Sequence, residues 1–235
     1  MDKLSYLDVV RVARSMTSVP GVIVTRPEFM SRIGGESEEA MAAVADIEHA
    51  DKLKLCSIKK VVHIAETYSR KCITTIGVTS DNLGNALYGY IDKYPYSFNI
   101  CFKKIKTCYD RLFNLKEVMH IPLGDTFDDA KDAEHASATT EAEFIAMMAL
   151  EMRDVVRGAE TIDEKTLHHE QAAYLAALAV AFPWELRDQR EKMNDRNRYS
   201  DYQFALAFMM PMVVAQTVKE DHYWAMFCAA NERII

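Results

Sequence analysis

The stretch that most constrains the fold is residues 170–183, where small and apolar residues follow one another almost without interruption. At helical spacing, one face of this stretch presents Ala173, Ala176, Ala177 and Val180. Small side chains on a helix face let a second helix approach closely. The stretch therefore predicts a helix that packs tightly against another helix.

The bounds of this helix follow from capping residues and from proline. Thr161 with Glu164 forms a capping-box signature, in which a hydroxyl and a carboxylate three residues later satisfy free backbone N–H groups. Pro183 cannot donate a backbone hydrogen bond and ends the pattern. The sequence predicts a helix over 161–181, with Glu170 on the same side as the small residues, one turn earlier.

Residues 116–120 read K-E-x-x-H and lie in a second predicted helix, over 110–120. Residues four apart share one face of a helix, so Lys116 and His120 point the same way and Glu117 lies beside them. In the zinc-peptidase signature H-E-x-x-H, two histidines at this spacing hold zinc, and the glutamate takes a proton from the metal-bound water. Here Lys116 stands at the first ligand position.

A change of composition before this helix predicts a sheet. Residues 72–78 are rich in β-branched side chains, and residues 86–91 and 97–102 are separated by a turn-forming segment that contains Pro95. The pattern predicts a hairpin in a small antiparallel sheet. The sheet then leads directly into the K-E-x-x-H helix, which would place an extended strand where a peptide substrate can pair with it.

Helical periodicity and capping residues predict an α+β, mainly α fold. The core would span 71–195 and hold the sheet, the 110–120 helix and the 161–181 helix. A helical region over 1–70 would pack on it, and 196–235 would form a helical tail, the three together making one globular unit. The further predicted helices are 2–16, 37–50, 57–70, 141–156, 184–193, 201–208, 212–220 and 222–231.

Composition excludes several classes of function. The net charge of the 235 residues is −7 and the basic residues are dispersed, which argues against a general nucleic-acid binder. Five cysteines without a C-x-x-C pair argue against a disulfide framework and for a reducing cytosol. Neither a signal-peptide core nor a membrane-spanning run is apparent, so we expect a soluble, cytoplasmic protein without a membrane partner.

The 170–183 stretch resembles a pattern of the ImmA/IrrE-type metallopeptidase-like proteins of bacteria and their mobile elements. That family follows H-E-x-x-H with a stretch of the form E-x-x-A-x-x-F-A-x-x-L-L-M-P. Glu170, Ala173, Ala177 and Pro183 fall on matching positions. Ala176 stands where the family prefers Phe, and Val180-Ala181-Phe182 stands for L-L-M.

The flanking residues extend this resemblance over roughly 86–215. Asn99-Ile100 is similar to the strand that precedes the metal helix of the family, and Arg111-Leu112-Phe113 to its basic and apolar lead-in. Ala205, Phe208 and Pro211 are similar to a pattern that often follows. The resemblance implies a zincin-like core in which Glu117 is the general base and His120 and Glu170 are zinc ligands.

Lys116 departs from the family pattern, and three interpretations of its role stay open. An ammonium has no lone pair for zinc, so Lys116 can replace the metal in an ion cluster with Glu117 or Glu170. Alternatively, another residue supplies the missing ligand, or a strongly desolvated Lys116 is neutral and ligates. The candidate replacement ligands are Asp125, Asp128, Asp129, His135, His168 and His169.

Two functions follow as expectations. The resemblance implies a regulatory peptidase-like or pseudo-peptidase protein of a phage or mobile element, which acts on a protein partner and, if active, uses zinc. The alternative is a helical interaction or assembly protein that has no metal site. The sequence leaves the oligomeric state open.

Overall fold

A computed structural model describes residues 4–33, 47, 50–78, 89–103, 107–124, 166–195 and 198–234. Within these ranges helices and short strands are interspersed as far as residue 167, and helices alone follow from His169 onward. The strands are β1 Leu4–Ser5, β2 Ile23–Thr25, β3 Lys54–Cys56, β4 Cys72–Val78, β5 Gly89–Lys93, β6 Ser97–Lys103 and β7 Thr166–Leu167. The helices are α1 Tyr6–Thr17, α2 Arg26–Ile33, α3 Ile58–Ser69, α4 Thr107–His120, α5 His169–Ala181, α6 Arg187–Met193, α7 Asp201–Ala207, α8 Met212–Val218 and α9 Asp221–Arg233.

The predicted α+β, mainly α class is confirmed, but the sheet beside α4 is mixed rather than wholly antiparallel. Its strand order is β4-β6-β5, with β5 antiparallel to β6 as the predicted hairpin requires. β4 runs parallel to β6, in register from Cys72 opposite Ser97 to Val78 opposite Lys103. β6 carries the buried residues Phe98, Ile100 and Cys101, and this burial explains why it occupies the centre of the sheet.

Helix α5 lies at the centre of the molecule. Every residue from Ala172 to Ala181 is buried, as expected of a helix that is apolar on all sides. α1 and α4 both pack against it. The alanines keep its diameter small, and this allows two helices to approach it at once.

The predicted start of this helix at 161 is wrong. Thr166 and Leu167 form β7, which pairs antiparallel with Leu4 and Ser5. The helix begins at His169. At the residue before it, the backbone N–H of His168 donates to the side-chain oxygen of Gln171 at 3.3 Å. Pairing with a distant strand therefore overrides the helical pattern at 166–167, and Thr161 with Glu164 lies outside the described residues.

The other predicted elements fit with small shifts at their ends. β4 has its predicted bounds, α3 and α4 agree within a few residues, and α1 begins at Tyr6 because Leu4–Ser5 is a strand. Ser200 and Gln203 form the expected capping box: the Gln203 backbone N–H donates to Ser200 Oγ at 3.2 Å. The predicted helix over 141–156, and that over 37–50 up to residue 46, lie outside the described residues.

The C-terminal helices complete the main core around α5. Phe182, at the end of α5, stacks on Phe204 and meets Phe208 with ring centroids 4.9 Å apart. The same apolar cluster extends to Tyr6 in α1 and Phe227 in α9. In the described ranges, no helix is both long enough and apolar enough to cross a bilayer.

We expect Ala176→Leu to destabilise the protein by about 1–3 kcal/mol, because Ala176 is fully buried in α5 and added methyl groups must displace packed neighbours. Urea denaturation measures the change. The matched control is Ala225→Leu in α9, where the side chain is exposed and a change below about 0.5 kcal/mol is expected. Equal losses in the two variants would contradict the close packing of α5.

Candidate functional site

Helices α4 and α5 bring four predicted site residues together. Lys116, Glu117 and His120 lie in the last turns of α4, and Glu170 lies in the first turn of α5. The first turn of a helix favours an acidic residue, because its free N–H groups carry partial positive charge. The contact between the two helices therefore delivers a carboxylate to the K-E-x-x-H face of α4.

The ammonium of Lys116 lies between two carboxylates. Its Nζ atom donates to Glu117 Oε1 at 3.0 Å and lies 2.5 Å from Glu170 Oε2. The other oxygen of Glu170, Oε1, lies 3.4 Å from His120 Nε2. Glu170 thus bridges the two residues that correspond to the paired histidines of a zinc peptidase.

Burial differs across this cluster. His120 and Glu117 are almost fully buried, and the Lys116 side chain is 11% exposed. The Glu170 side chain is 60% exposed. The cluster therefore opens to solvent on the side of α5 and is closed on the side of α4.

Lys116 and Glu170 each shift the pKa of the other in the direction that favours its charged form. Burial by itself lowers the pKa of Lys116, but Glu117 and Glu170 outweigh it, so that this pKa lies above its usual value. For Glu170, partial burial raises the pKa, while Lys116 and then His120 lower it, with a net value of about 2. At neutral pH the pair is an ammonium and a carboxylate.

These charges help to distinguish the three interpretations of the role of Lys116. Ligation by a neutral amine requires a lowered pKa, and the pKa of Lys116 is raised instead. The interpretation in which Lys116 forms an ion cluster matches its observed contacts with both glutamates. Lys116 is thus a charged group with no lone pair to donate.

Two of the candidate replacement ligands, His168 and His169, lie in the described part of the chain. Asp125, Asp128, Asp129 and His135 lie outside the described residues. His168 is exposed, and His169 is half-buried and close enough to Glu170 to help lower its pKa. Within the described ranges, no group of three or more His, Cys, Asp or Glu side chains is arranged to hold a metal ion.

These residues do not fit a catalytic zinc site. Such a site needs three protein ligands and an open position, whereas the first ligand position here is filled by a cation that both glutamates contact. A zinc ion placed among them would meet the charge of Lys116. The zinc predicted from the resemblance has no support in this arrangement.

The sheet also packs against α4. Both β5 and β6 contact α4, and β5 lies at an edge of its three-stranded sheet. In the described part of the chain, β5 pairs only with β6, so its outer backbone groups are not used in that sheet. An extended peptide can add to such an edge.

Sequence reasoning missed that several basic side chains are buried. Arg111 appeared only as part of a lead-in to the motif, yet it is 3% exposed. Arg190, in the predicted 184–193 helix, stacks on Trp224 at 3.5 Å and donates to the Val218 carbonyl. Their tertiary neighbours are distant in sequence, and no local pattern signals them.

No protein-family model, curated protein or solved structure matches this chain. The resemblance to ImmA/IrrE-type proteins therefore stays a prediction that rests on the residues quoted for it.

We expect Lys116→Met to destabilise the protein by about 3–5 kcal/mol, because it leaves the buried carboxylate of Glu117 without its cation. Adding Glu117→Gln to that variant removes the unpaired charge and restores much of the loss. Urea denaturation of the wild type, both single variants and the double variant gives the coupling energy. A double variant as unstable as the sum of the single variants would show that the two side chains are not coupled.

Stability should also depend on pH through Glu170. Because its pKa in the folded protein is about 2, below the usual glutamate value of about 4.3, its stabilising contribution is present above pH 4.3 and is lost as the pH falls toward 2. Glu170 is more than half exposed, so solvent screening limits the effect to about 1 kcal/mol. Denaturation of wild type and Glu170→Gln from pH 7 to pH 3 tests this: the difference between them should shrink below pH 4. A constant difference would contradict the ion pair.

Proposed function

We propose that the protein is a peptidase-like regulatory protein that binds a peptide segment of a protein partner without cleaving it. The observation that carries this proposal is the position of the Lys116 ammonium, 3.0 Å from Glu117 and 2.5 Å from Glu170. At that position the ammonium neutralises the carboxylate of Glu170, the residue that the resemblance makes a zinc ligand. It lacks the open coordination position that activates water.

The state of Glu117 supports binding rather than hydrolysis. A general base must be free to take a proton from water, but Glu117 is almost fully buried and accepts a hydrogen bond from Lys116. Its carboxylate therefore serves as an ion-pair partner. The ammonium of Lys116 has three donors, and the two glutamates account for two of them.

A peptide has two means of contact at this site. Its backbone can extend the sheet at the β5 edge, which supplies main-chain hydrogen bonds. Its carbonyl oxygen can accept the third donor of Lys116, on the side where Glu170 is exposed. The resemblance to ImmA/IrrE-type proteins suggests a repressor, or another regulatory protein of a phage or mobile element, as the source of the peptide.

Metal content tests the pseudo-peptidase proposal. We expect wild-type protein, purified without a His tag or chelator, to hold far less than one zinc per chain, and Lys116→His to bind close to one. His120→Ala added to Lys116→His should abolish that zinc, because it removes the second histidine. Elemental analysis measures all three proteins. Near-stoichiometric zinc in the wild type, lost in the single variant His120→Ala, would overturn the proposal and point to a replacement ligand.

Binding is tested with a library of extended, fluorescently labelled peptides. We expect some of them to bind in polarisation assays, to remain intact in mass spectra, and to protect β5 amides from hydrogen exchange. The peptides should also remain intact with the Glu117→Gln variant, because the wild type is not expected to cleave them. Failure of every peptide to protect β5 would favour the alternative, a helical assembly protein without a functional cleft.

A further inference from the structure

Arg111 is a buried cation that the proposed function does not use. It lies on α4, more than one turn before Lys116, and is 3% exposed. None of its three guanidinium nitrogens has a hydrogen-bond partner in the described part of the chain. A guanidinium carries five N–H donors, so this side chain represents a large unused capacity for hydrogen bonding.

One face of the Arg111 guanidinium meets an aromatic ring. Its guanidinium carbon lies 5.1 Å from the centroid of the Phe29 ring, which provides a cation–π contact. Phe29 belongs to a small cluster that includes Val24, Leu55 and Met209. One ring face compensates only part of what a guanidinium loses when it leaves water.

The thiol of Cys56 is the nearby titratable group, and it is not the missing anion. The two groups are close enough to influence each other: burial lowers the pKa of Arg111 to about 10, and Cys56 opposes that shift. Burial raises the pKa of Cys56 to about 12, so the thiol is neutral at pH 7. The positive charge of Arg111 therefore has an uncharged neighbour there.

Lys116 provides an internal comparison. It lies on the same helix, is similarly buried, and contacts two carboxylates. Arg111 lacks any such partner among the described residues. An uncompensated buried charge is strongly destabilising, and a buried polar group without a partner calls for an explanation such as a functional role or a bound ion.

We propose that Arg111 anchors a binding site for a small organic monocarboxylate. The fork of the guanidinium matches both oxygens of a carboxylate, and the apolar part of the ligand would pack against Phe29. The apolar wall favours a single charge, since a doubly charged phosphate loses far more hydration on entering it. The guanidinium nitrogens are enclosed, so entry requires the Phe29 ring to move aside.

Thermal unfolding in propionate, benzoate, phosphate and chloride at equal ionic strength tests the proposal. We expect the Tm of the wild type to rise by about 5–10 °C when propionate or benzoate reaches about 100 times its Kd. Chloride and phosphate should have a much smaller effect. Isothermal titration calorimetry with benzoate should give one site per chain.

Two variants at Arg111 make the test specific. Arg111→Met removes the charge but keeps an apolar side chain, so in chloride its Tm should equal or exceed that of the wild type, and its response to carboxylates should disappear. Arg111→Lys keeps the charge but loses the fork, and should bind benzoate at least tenfold more weakly. The proposal would be overturned if Arg111→Met had a much lower Tm and the wild type showed no response to carboxylates. That result would show that the charge of Arg111 is paired within the chain. Equal responses in all three proteins, or a response to phosphate alone, would overturn it as well.

Discussion

The close packing of α4 against α5 is the contact on which the site depends. Glu170 reaches Lys116 only because the first turn of α5 lies beside the last turns of α4, and the alanines of α5 permit that approach. The same helix also packs against α1, so it has little freedom to shift. The rigidity of the apolar core thus fixes the distance between two charges at its edge.

The charges in turn hold one another in one arrangement. A buried pair is stable only when each charge has a well-placed partner, and Lys116 meets this condition through Glu117 inside and Glu170 outside. The cluster pairs a rigid, buried half with an exposed half.

Sequence reasoning reached the parts of this structure that depend on local pattern. The K-E-x-x-H spacing predicted that Lys116 and His120 share a face, and the small residues after Glu170 predicted a helix packed on another helix. It failed where distant pairing decides the outcome. Thr166 and Leu167 form a strand because Leu4 and Ser5 lie beside them. The sheet is mixed because β4 pairs in parallel with β6 rather than with β5, the next strand in sequence. The burial of Arg111 and Arg190 was equally hidden, since their neighbours come from other elements.

The short pairing of β1 with β7 has a consequence for how the site forms. It joins residues near the beginning of the chain to the residues just before α5, and Glu170 follows three positions later. Contacts between such distant segments form slowly, because a long loop must close first. During synthesis, α4 emerges well before its partner helix, and Lys116 then has only Glu117 beside it. The charge cluster therefore becomes complete only late in folding, and a nascent chain that ends before α5 does not yet present it.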